Sequence, residues 1–264
     1  MSGWPAVAAM LLPLVGAAAS AHPIAVIAHR GGSALGPENT LACLAQSIAL
    51  GVDYVEVDVR ETHDGRFVLM HDGTVDRTTD GTGAVADQTL AQLRALDAGA
   101  WFAPGYAGQR VPTLGEVLGL CRDRTGIYLD HKEGSIPRLA RLVRRTGMLR
   151  QVVVYDGPQE VAEWKRAAPA LPVMISPDEA HRRPGGITEL LERVPADILD
   201  GNVAEWTAEL VAEAHAQGAL VYVDNLGFTD TEAWFRKAIE MGVDGIQTDH
   251  PDRVIHLLGA MGQR

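Results

Sequence analysis

The sequence predicts an α/β protein, a closed (β/α)8 barrel of the TIM-barrel class with a small insertion after strand two. Short β-branched runs alternate with amphipathic stretches from residue 22 onward, which favours a parallel sheet. Eight such units in 264 residues match the usual length of a barrel in which every strand is followed by a helix. No G-x-G-x-x-G pattern opens a helix after the first strand, so a dinucleotide-binding sheet is disfavoured.

The barrel strands are predicted, in chain order, at 24–28, 54–59, 127–129, 152–155, 173–175, 198–199, 220–223 and 245–247. Helices are predicted at 40–50, 137–146, 159–168, 187–193, 208–217, 232–241 and 252–258. Asn39 is predicted to cap the first helix, because asparagine is a preferred residue at that position.

The stretch 61–112 interrupts this rhythm, because it is too long for a simple strand-to-helix loop. It contains a hairpin-like segment, 63–70, and a turn-rich run, 79–83. Its hydrophobic residues are sufficient for an ordered structure. We therefore expect an ordered insertion at the mouth of the barrel, and long loops of this kind usually carry function.

Composition places the chain among globular proteins, with 47% hydrophobic and 22% charged residues. One domain, 22–264, is the simplest interpretation. The net charge of −11 repels nucleic acid and anionic membrane surfaces, so no nucleic-acid partner is expected. A phosphate substrate remains compatible with this charge, because a bound divalent cation reverses the potential locally. Cys43 and Cys121 are expected to be buried free thiols.

The N-terminus predicts a signal peptide, residues 1–21. Residues 6–19 are small and apolar, and Ala19-Ser20-Ala21 fits a small-x-small cleavage site, so the mature chain would start near His22. Secretion or export to the periplasm follows. The apolar run is short and contains Pro13, so no stable membrane span is expected after processing. The alternative is an uncleaved apolar arm.

The tetrad His29-Arg30-Gly31-Gly32 follows the first strand directly. Active sites of such barrels lie at the carboxyl ends of the strands, so this position suits a functional loop. The Arg30 guanidinium offers a planar fork of donors to a phosphate, and His29 can transfer a proton near neutral pH. The two glycines let the backbone approach a ligand closely.

Three carboxylates are expected to converge at the same mouth. Glu56 and Asp58 alternate with valines on strand two, so both face the barrel interior. Asp130 ends strand three, and Lys132 shares its face. A hard divalent cation, Mg²⁺ or Ca²⁺, would neutralise these oxygens. The alternative is that basic side chains engage them, and Lys132 is placed to pair with Asp130 and to reach a phosphate oxygen.

A second histidine, His71, ends the hairpin of the insertion. Two histidines on opposite sides of a phosphate allow one to act as a base and the other as an acid. His131 alternates with Asp130 and Lys132, and is therefore expected to face the helix layer as a packed residue.

The ordered set of motifs resembles the glycerophosphodiester phosphodiesterase family over nearly all of the mature chain. The motifs are His29-Arg30-Gly31, Pro37-Glu38-Asn39-Thr40, Glu56-Val57-Asp58-Val59, Asp64-Gly65, His71-Asp72, residues 77–83, residues 111–114 and residues 245–252. The resemblance implies a barrel with an insertion after strand two and one divalent cation. It implies that a glycerophosphodiester is hydrolysed to glycerol 3-phosphate and an alcohol.

Carried over to this sequence, the resemblance makes His29 and His71 the acid/base pair and Arg30 a phosphate contact. Glu56 and Asp58 become metal ligands. Glu38 either binds the metal or orients Arg30.

Two positions depart from the family pattern. Asp130 replaces the usual glutamate of strand three, a form shared with barrels similar to sphingomyelinase D. On strand seven Val221-Tyr222-Val223-Asp224-Asn225 replaces Val-Trp-Thr-Val-Asn, and Tyr222 and Asn225 are expected to support the pocket. Two alternatives stay open: a phospholipase D-like enzyme that acts on (lyso)phospholipid head groups, and a non-catalytic phosphoester-binding barrel.

Overall fold

The computed structural model describes residues 24–264. The predicted signal peptide, residues 1–21, lies outside the described residues. Within the described part, no helix has both the length and the apolar character needed to cross a bilayer. Cys43 and Cys121 are both free and buried, as expected, and burial raises the pKa of each thiol to about 12.

The core of the molecule is a closed barrel of eight parallel strands, which confirms the predicted fold class. The strand β1 pairs with the last strand and also with the second, and these two pairings close the sheet. The barrel strands are β1 (Ala25–Ala28), β2 (Tyr54–Glu61), β4 (Gly126–His131), β5 (Val152–Tyr155), β6 (Val173–Ile175), β7 (Ile198–Leu199), β8 (Leu220–Asn225) and β9 (Gly245–Thr248). β3 (Phe67–Leu69) is an antiparallel addition to β2.

Helices surround the barrel because the strands present valine, isoleucine and leucine outward. The helices are α1 (Leu41–Leu50), α2 (Leu90–Leu93), α3 (Leu114–Cys121), α4 (Ile136–Arg145), α5 (Val161–Ala167), α6 (Gly186–Arg193), α7 (Ala208–Ala216), α8 (Glu232–Met241) and α9 (Pro251–Ala260). Val55, Val57 and Val59 pack into this outer layer, as strand alternation predicts.

The cap of α1 is Thr40, so the prediction of Asn39 was wrong by one residue. The Thr40 hydroxyl accepts from the backbone N–H of Cys43 at 3.3 Å. Asn39 instead has a left-handed φ of 56° and pairs twice with Asp58. Its Nδ2 donates to Asp58 Oδ2 at 2.7 Å, and its Oδ1 accepts from Asp58 N at 3.2 Å.

The barrel interior has an apolar floor at the end opposite the strand carboxyl termini. The floor consists of Ile27, Tyr128, Val153, Met174, Ile198 and Tyr222, with Tyr54 and Tyr155 packed against it. Residues two positions further along each strand face the same interior, one layer closer to the mouth. Those residues are polar on most strands. The same eight strands therefore provide an apolar floor and, one layer above it, a polar mouth.

Residues 61–112 form what we call the insertion lobe, which is anchored to the barrel by β3. The lobe has its own small core, made of Val68, Met70, Val75, Val85, Leu93, Ala98 and Val111. A capping box between Thr89 and Gln92 begins α2. The lobe is therefore packed rather than a loose loop, and it holds His71 beside the barrel mouth.

Candidate active site

The loop after β1 brings Arg30 to the carboxylates through its backbone. Arg30 has φ 49° and ψ 32°, a left-handed conformation that is uncommon for a residue with a side chain. In this conformation its N–H donates to Glu56 Oε2 at 2.5 Å. Backbone strain of this kind persists only where the surroundings hold it, and it concentrates at functional sites.

The two glycines of this loop allow close packing, while their expected approach to a ligand stays a prediction. Gly32 has φ 89°, and a Cβ there would lie 2.6 Å from Ser47 Oγ. The Ser47 hydroxyl also donates to the carbonyl of Gly31 at 2.6 Å. The glycines thus let the loop lie directly on α1.

Glu56, Asp58 and Asp130 meet at the mouth, as strand alternation predicts. One oxygen from each lies within 4.8 Å of the others. Burial raises the pKa of Glu56 well above its usual range, and the charges of Asp58 and Asp130 raise it further. Three like charges this close require a positive counterpart, and an all-oxygen donor set suits a hard divalent cation. The residues therefore fit the cation that the family resemblance implies.

Basic side chains also reach this carboxylate cluster. Lys132 Nζ lies 2.6 Å from Asp130 Oδ2 and 3.2 Å from Asp58 Oδ1. Burial lowers the pKa of Lys132, but Asp130 and Asp58 outweigh it, so the net shift is upward and the ammonium stays charged. Arg30 Nε lies 3.7 Å from Asp58 Oδ2. Lys132 and Arg30 thus contact the carboxylates from positions where they can also contact a bound phosphate.

His29 is held by an aspartate from the far end of the chain. Its Nδ1 lies 2.6 Å from Asp249 Oδ1, and the Ser33 hydroxyl donates to the same oxygen. Burial raises the pKa of Asp249, but the hydrogen bond and charge of His29 reverse this, so the carboxyl remains ionised. Asp249 does not cap α9, where His250 occupies the capping position.

His71 has an equivalent partner within its own loop. Its Nδ1 lies 2.7 Å from Asp72 Oδ1. Arg77 Nε donates to Asp72 Oδ2 at 2.7 Å, and this bond is the main reason that the pKa of Asp72 lies far below its usual range. Both histidines are thus fixed by carboxylates at Nδ1, which leaves Nε2 of each for other contacts.

Glu38 connects the lobe to the first loop. Its two oxygens accept from Arg77 at 2.8 Å each, and Oε1 also lies 3.1 Å from Arg30 Nη1. Of the two roles expected for Glu38, the contacts match orientation of Arg30. It is outside the cluster formed by Glu56, Asp58 and Asp130.

The contacts of Tyr222 and Asn225 do not involve the carboxylate cluster or the two histidines, and their support of the pocket stays a prediction. Tyr222 belongs to the apolar floor, with its ring 6.1 Å from that of Tyr54. Asn225 is fully buried and donates to the carbonyl of Thr229 at 3.2 Å. The residue between them on β8 that faces the mouth is Asp224, because Tyr222 faces the interior two positions earlier.

The comparisons agree with this geometry. A sequence profile of the glycerophosphoryl diester phosphodiesterase family matches residues 29–253. The chain belongs to this family. A glycerophosphodiester phosphodiesterase from Caldanaerobacter subterraneus is 32% identical over 241 residues, which cover 88% of this chain and 97% of the relative. As a member, the protein is an enzyme of the phosphoric diester hydrolase class.

Solved structures from the family are also similar. A glycerophosphodiester phosphodiesterase from Agrobacterium tumefaciens has a TM-score of 0.80 at 30% identity, with 88% of this chain and 99% of that chain covered. A phosphodiesterase from Oleispira antarctica, solved with the product sn-glycerol-3-phosphate, has a TM-score of 0.79 at 26% identity. There the coverage is 89% of this chain and 96% of that chain.

In this phosphodiesterase, sequence reasoning missed two carboxylates at the barrel mouth, Asp200 and Asp224. The sequence interpretation gave neither residue a role. Each lies at the carboxyl end of a barrel strand, the same signal that identified His29 and Asp130. His131, by contrast, faces outward as predicted, where its Nδ1 lies 2.6 Å from Asp156 Oδ2.

Proposed function

We propose that this protein is a metal-dependent phosphodiesterase that hydrolyses glycerophosphodiesters to sn-glycerol 3-phosphate and an alcohol by histidine acid/base catalysis. One observation carries the proposal: three convergent carboxylates share the barrel mouth with two histidines, each fixed by an aspartate. The name of the C. subterraneus relative and the product bound in the O. antarctica structure support the substrate class.

Glu56, Asp58 and Asp130 would hold one divalent cation, Mg²⁺ or Ca²⁺. When bound, such a cation supplies positive charge that stabilises the phosphate oxygens as negative charge develops on them. Arg30 and Lys132 bind the remaining phosphate charge. Lys132 already contacts two of the carboxylates, so it needs only to turn from them toward the substrate.

His29 and His71 divide the proton transfers. One Nε2 accepts a proton from the attacking water, and the other donates a proton to the departing alkoxide, which is otherwise a poor leaving group. Asp249 and Asp72 fix the Nδ1 side of each ring and stabilise the imidazolium that forms. Glu38 positions Arg30 and Arg77 between the two halves of the site.

The first test is turnover of glycerophosphocholine, with phosphorus NMR to identify products, before and after chelation. If the enzyme hydrolyses the diester, free sn-glycerol-3-phosphate is the expected product. The activity is expected to be lost with chelator and restored by Mg²⁺ or Ca²⁺. A cyclic phosphate released from a lysophospholipid would favour the phospholipase D-like alternative. Full activity after exhaustive chelation would contradict the cation role.

The second test replaces each histidine. We expect His29→Ala and His71→Ala to lower kcat by about 10² to 10⁴-fold, the usual contribution of general acid/base groups, and to leave the fold intact. His63→Ala is the matched control, because His63 is exposed on the same lobe as His71. Steady-state kinetics and circular dichroism check both points. Unchanged turnover in either site variant would contradict its role.

We also propose that the protein is exported and processed. The support is the small apolar run 6–19 followed by Ala19-Ser20-Ala21. Mass spectrometry of the protein recovered outside the producing cell is expected to show a chain that begins at His22. A product that retains the first 21 residues would contradict cleavage.

A further inference from the structure

The half of the barrel mouth opposite the carboxylate cluster is polar and has no part in the reaction above. β5 to β9 contribute its inward groups, Tyr155, Ser176, Asp200, Asp224 and Gln247. Asp200 and Asp224 lie two positions beyond Ile198 and Tyr222, which form the floor, so both face the interior one layer above it. We call Asp200, Asp224 and Gln247 the acidic wall.

The acidic wall is largely buried, and its carboxyl groups have no basic partner among the described residues. Asp200 is 3% exposed, and burial raises its pKa well above the usual range, with Asp224 as the next cause. Burial also raises the pKa of Asp224, to about 6, although His29 opposes this. Within residues 24–264, no Lys, Arg or His lies within ion-pair distance of either carboxylate. Arg182 lies beside Gly201, but its Nη2 pairs with Glu205 Oε2 at 2.9 Å.

Two buried hydrogen-bond acceptors on the wall lack donors within the described residues. Gln247 is 95% buried, since only 5% of it is exposed, and its Nε2 donates to Asp224 Oδ1 at 2.8 Å. Gln247 Oε1 has no partner in the described protein, and neither does Asp200 Oδ1. A buried acceptor without a hydrogen-bond donor lowers the stability of the fold, so such an atom usually pairs with a donor from water or a ligand. A ligand that fits this wall therefore brings N–H or O–H groups.

The wall and the carboxylate cluster share one mouth. The charge of Asp130 raises the pKa of both Asp200 and Asp224, and the charge of His29 reaches Asp224. A phosphodiester bound at Glu56, Asp58 and Asp130 can extend one of its two organic portions into the space across the mouth. The strands β7 and β8 form the side of that space opposite Asp130.

We propose that the acidic wall binds a primary ammonium on the alcohol portion of the substrate, so that the enzyme prefers diesters of amino alcohols such as ethanolamine. This inference rests on the proposed function. A primary ammonium supplies both features that the wall lacks, positive charge and three N–H donors. A quaternary ammonium has the charge without donors, and a glycerol head group has donors without the charge.

The experiment measures kcat/KM of the cation-loaded enzyme for the ethanolamine, choline and glycerol diesters of glycerol 3-phosphate. We expect the ethanolamine diester to lead by about tenfold or more, the size of one hydrogen bond to a charged group. Asp224→Asn and Asp200→Asn are expected to lower the ethanolamine-to-glycerol ratio by a similar factor. Asp197→Asn is the control, because it removes the same charge at the other, exposed end of β7.

Inhibition of the wild-type enzyme keeps the test valid if a variant does not fold. Free ethanolamine is expected to compete with substrate at lower concentration than choline or ethylene glycol. A preference for the choline or glycerol diester, equal inhibition by all three, or a ratio that folded variants leave unchanged would overturn the inference. Hydrolysis of none of the diesters would instead overturn the proposed function.

Discussion

At the scale of single residues, the same histidine–aspartate pair occurs at the proposed active site and in the helix layer. His29, His71 and His131 each place Nδ1 2.6–2.7 Å from an aspartate oxygen. The difference lies in what surrounds the ring. His71 is about one-third exposed at the mouth, whereas His131 is 8% exposed and packs edge-on against Trp164 in the helix layer. The hydrogen bond alone therefore does not mark a catalytic histidine.

The pair between His131 and Asp156 predicts a pH-dependent stability. Burial lowers the pKa of His131, but the hydrogen bond and charge of Asp156 outweigh this and raise it above 6.5. A group whose pKa is raised in the folded state contributes its full stabilisation at pH values below its unfolded-state pKa. This stabilisation is lost as the pH rises through the folded-state pKa. We expect His131→Gln to lower the free energy of unfolding by about 1.5–3 kcal/mol at pH 6 and by less at pH 9.

Urea unfolding at both pH values measures this difference. His256→Gln is the control, because His256 is exposed on α9. It is expected to change stability little at either pH. An equal loss for His131→Gln at pH 6 and pH 9 would mean that packing on Trp164, rather than the ion pair, provides the stabilisation.

At the scale of elements, the insertion lobe is a separate packing unit joined to the barrel by β3. Leu93 is fully buried in its core, and α2 supplies it. His71 and Arg77 belong to this lobe, while His29 and Glu38 belong to the loop after β1. The site is therefore assembled only when the lobe packs against the barrel.

Leu93→Ala is expected to loosen the lobe and leave the barrel unchanged. Removing a buried leucine costs about 2–5 kcal/mol, because it leaves a cavity. Hydrogen exchange of amides in 61–112 is expected to accelerate, while β5 to β8 keep their protection, and kcat falls. Leu90→Ala is the matched control on the same helix. Leu90 is only partly buried, so its truncation is expected to lower the free energy of unfolding less. Uniform acceleration across the barrel would contradict a separate unit.

The elements were predictable because their physical causes are local. Alternation on β2 and β4 sufficed to bring Glu56, Asp58 and Asp130 together, and strand–helix rhythm predicted the barrel. The cap of α1 was misplaced because asparagine and threonine are both good caps and adjacent here. The tertiary fold decided between them, since Asn39 is occupied with Asp58.

Longer-range features had no local cause in the sequence. His29 and Asp249 are 220 residues apart, and only closure of the barrel between β1 and β9 brings them together. The depth of Tyr222 in the barrel was missed for another reason. The family pattern marked its position for the pocket, but one layer of the barrel separates the floor from the mouth. The depth of a residue along a strand decides its role.

At the scale of the whole molecule, acidic residues are concentrated at the mouth of the barrel. The net charge is −11, and the mouth gathers Glu56, Asp58 and Asp130 beside the acidic wall. Burying like charges together opposes folding, and Lys132 and Arg30 offset only part of it. The fold thus carries an electrostatic cost that a bound cation would remove.

This cost predicts that Mg²⁺ or Ca²⁺ raises the stability of the whole protein. A ligand at 100 times its Kd, binding only the folded state, adds about 2.7 kcal/mol. Thermal unfolding of the cation-free protein, with Na⁺ matching ionic strength, is expected to show a higher midpoint after either ion is added. An active enzyme whose midpoint neither ion moves would contradict a cation site in the carboxylate cluster.

Glu56→Gln separates the two contributions. The amide keeps an acceptor for the Arg30 N–H but removes one of three like charges, so the cation-free variant is expected to melt no lower than wild type. The same variant is expected to lose most of the cation-induced rise, because a ligand charge is gone. Glu133→Gln, on a 40% exposed side chain paired with Arg60, is the control and keeps the full rise. A Glu56→Gln protein with a lower melting midpoint that Mg²⁺ still raises fully would contradict this. It would mean that the Glu56 carboxylate stabilises the fold and does not bind the cation.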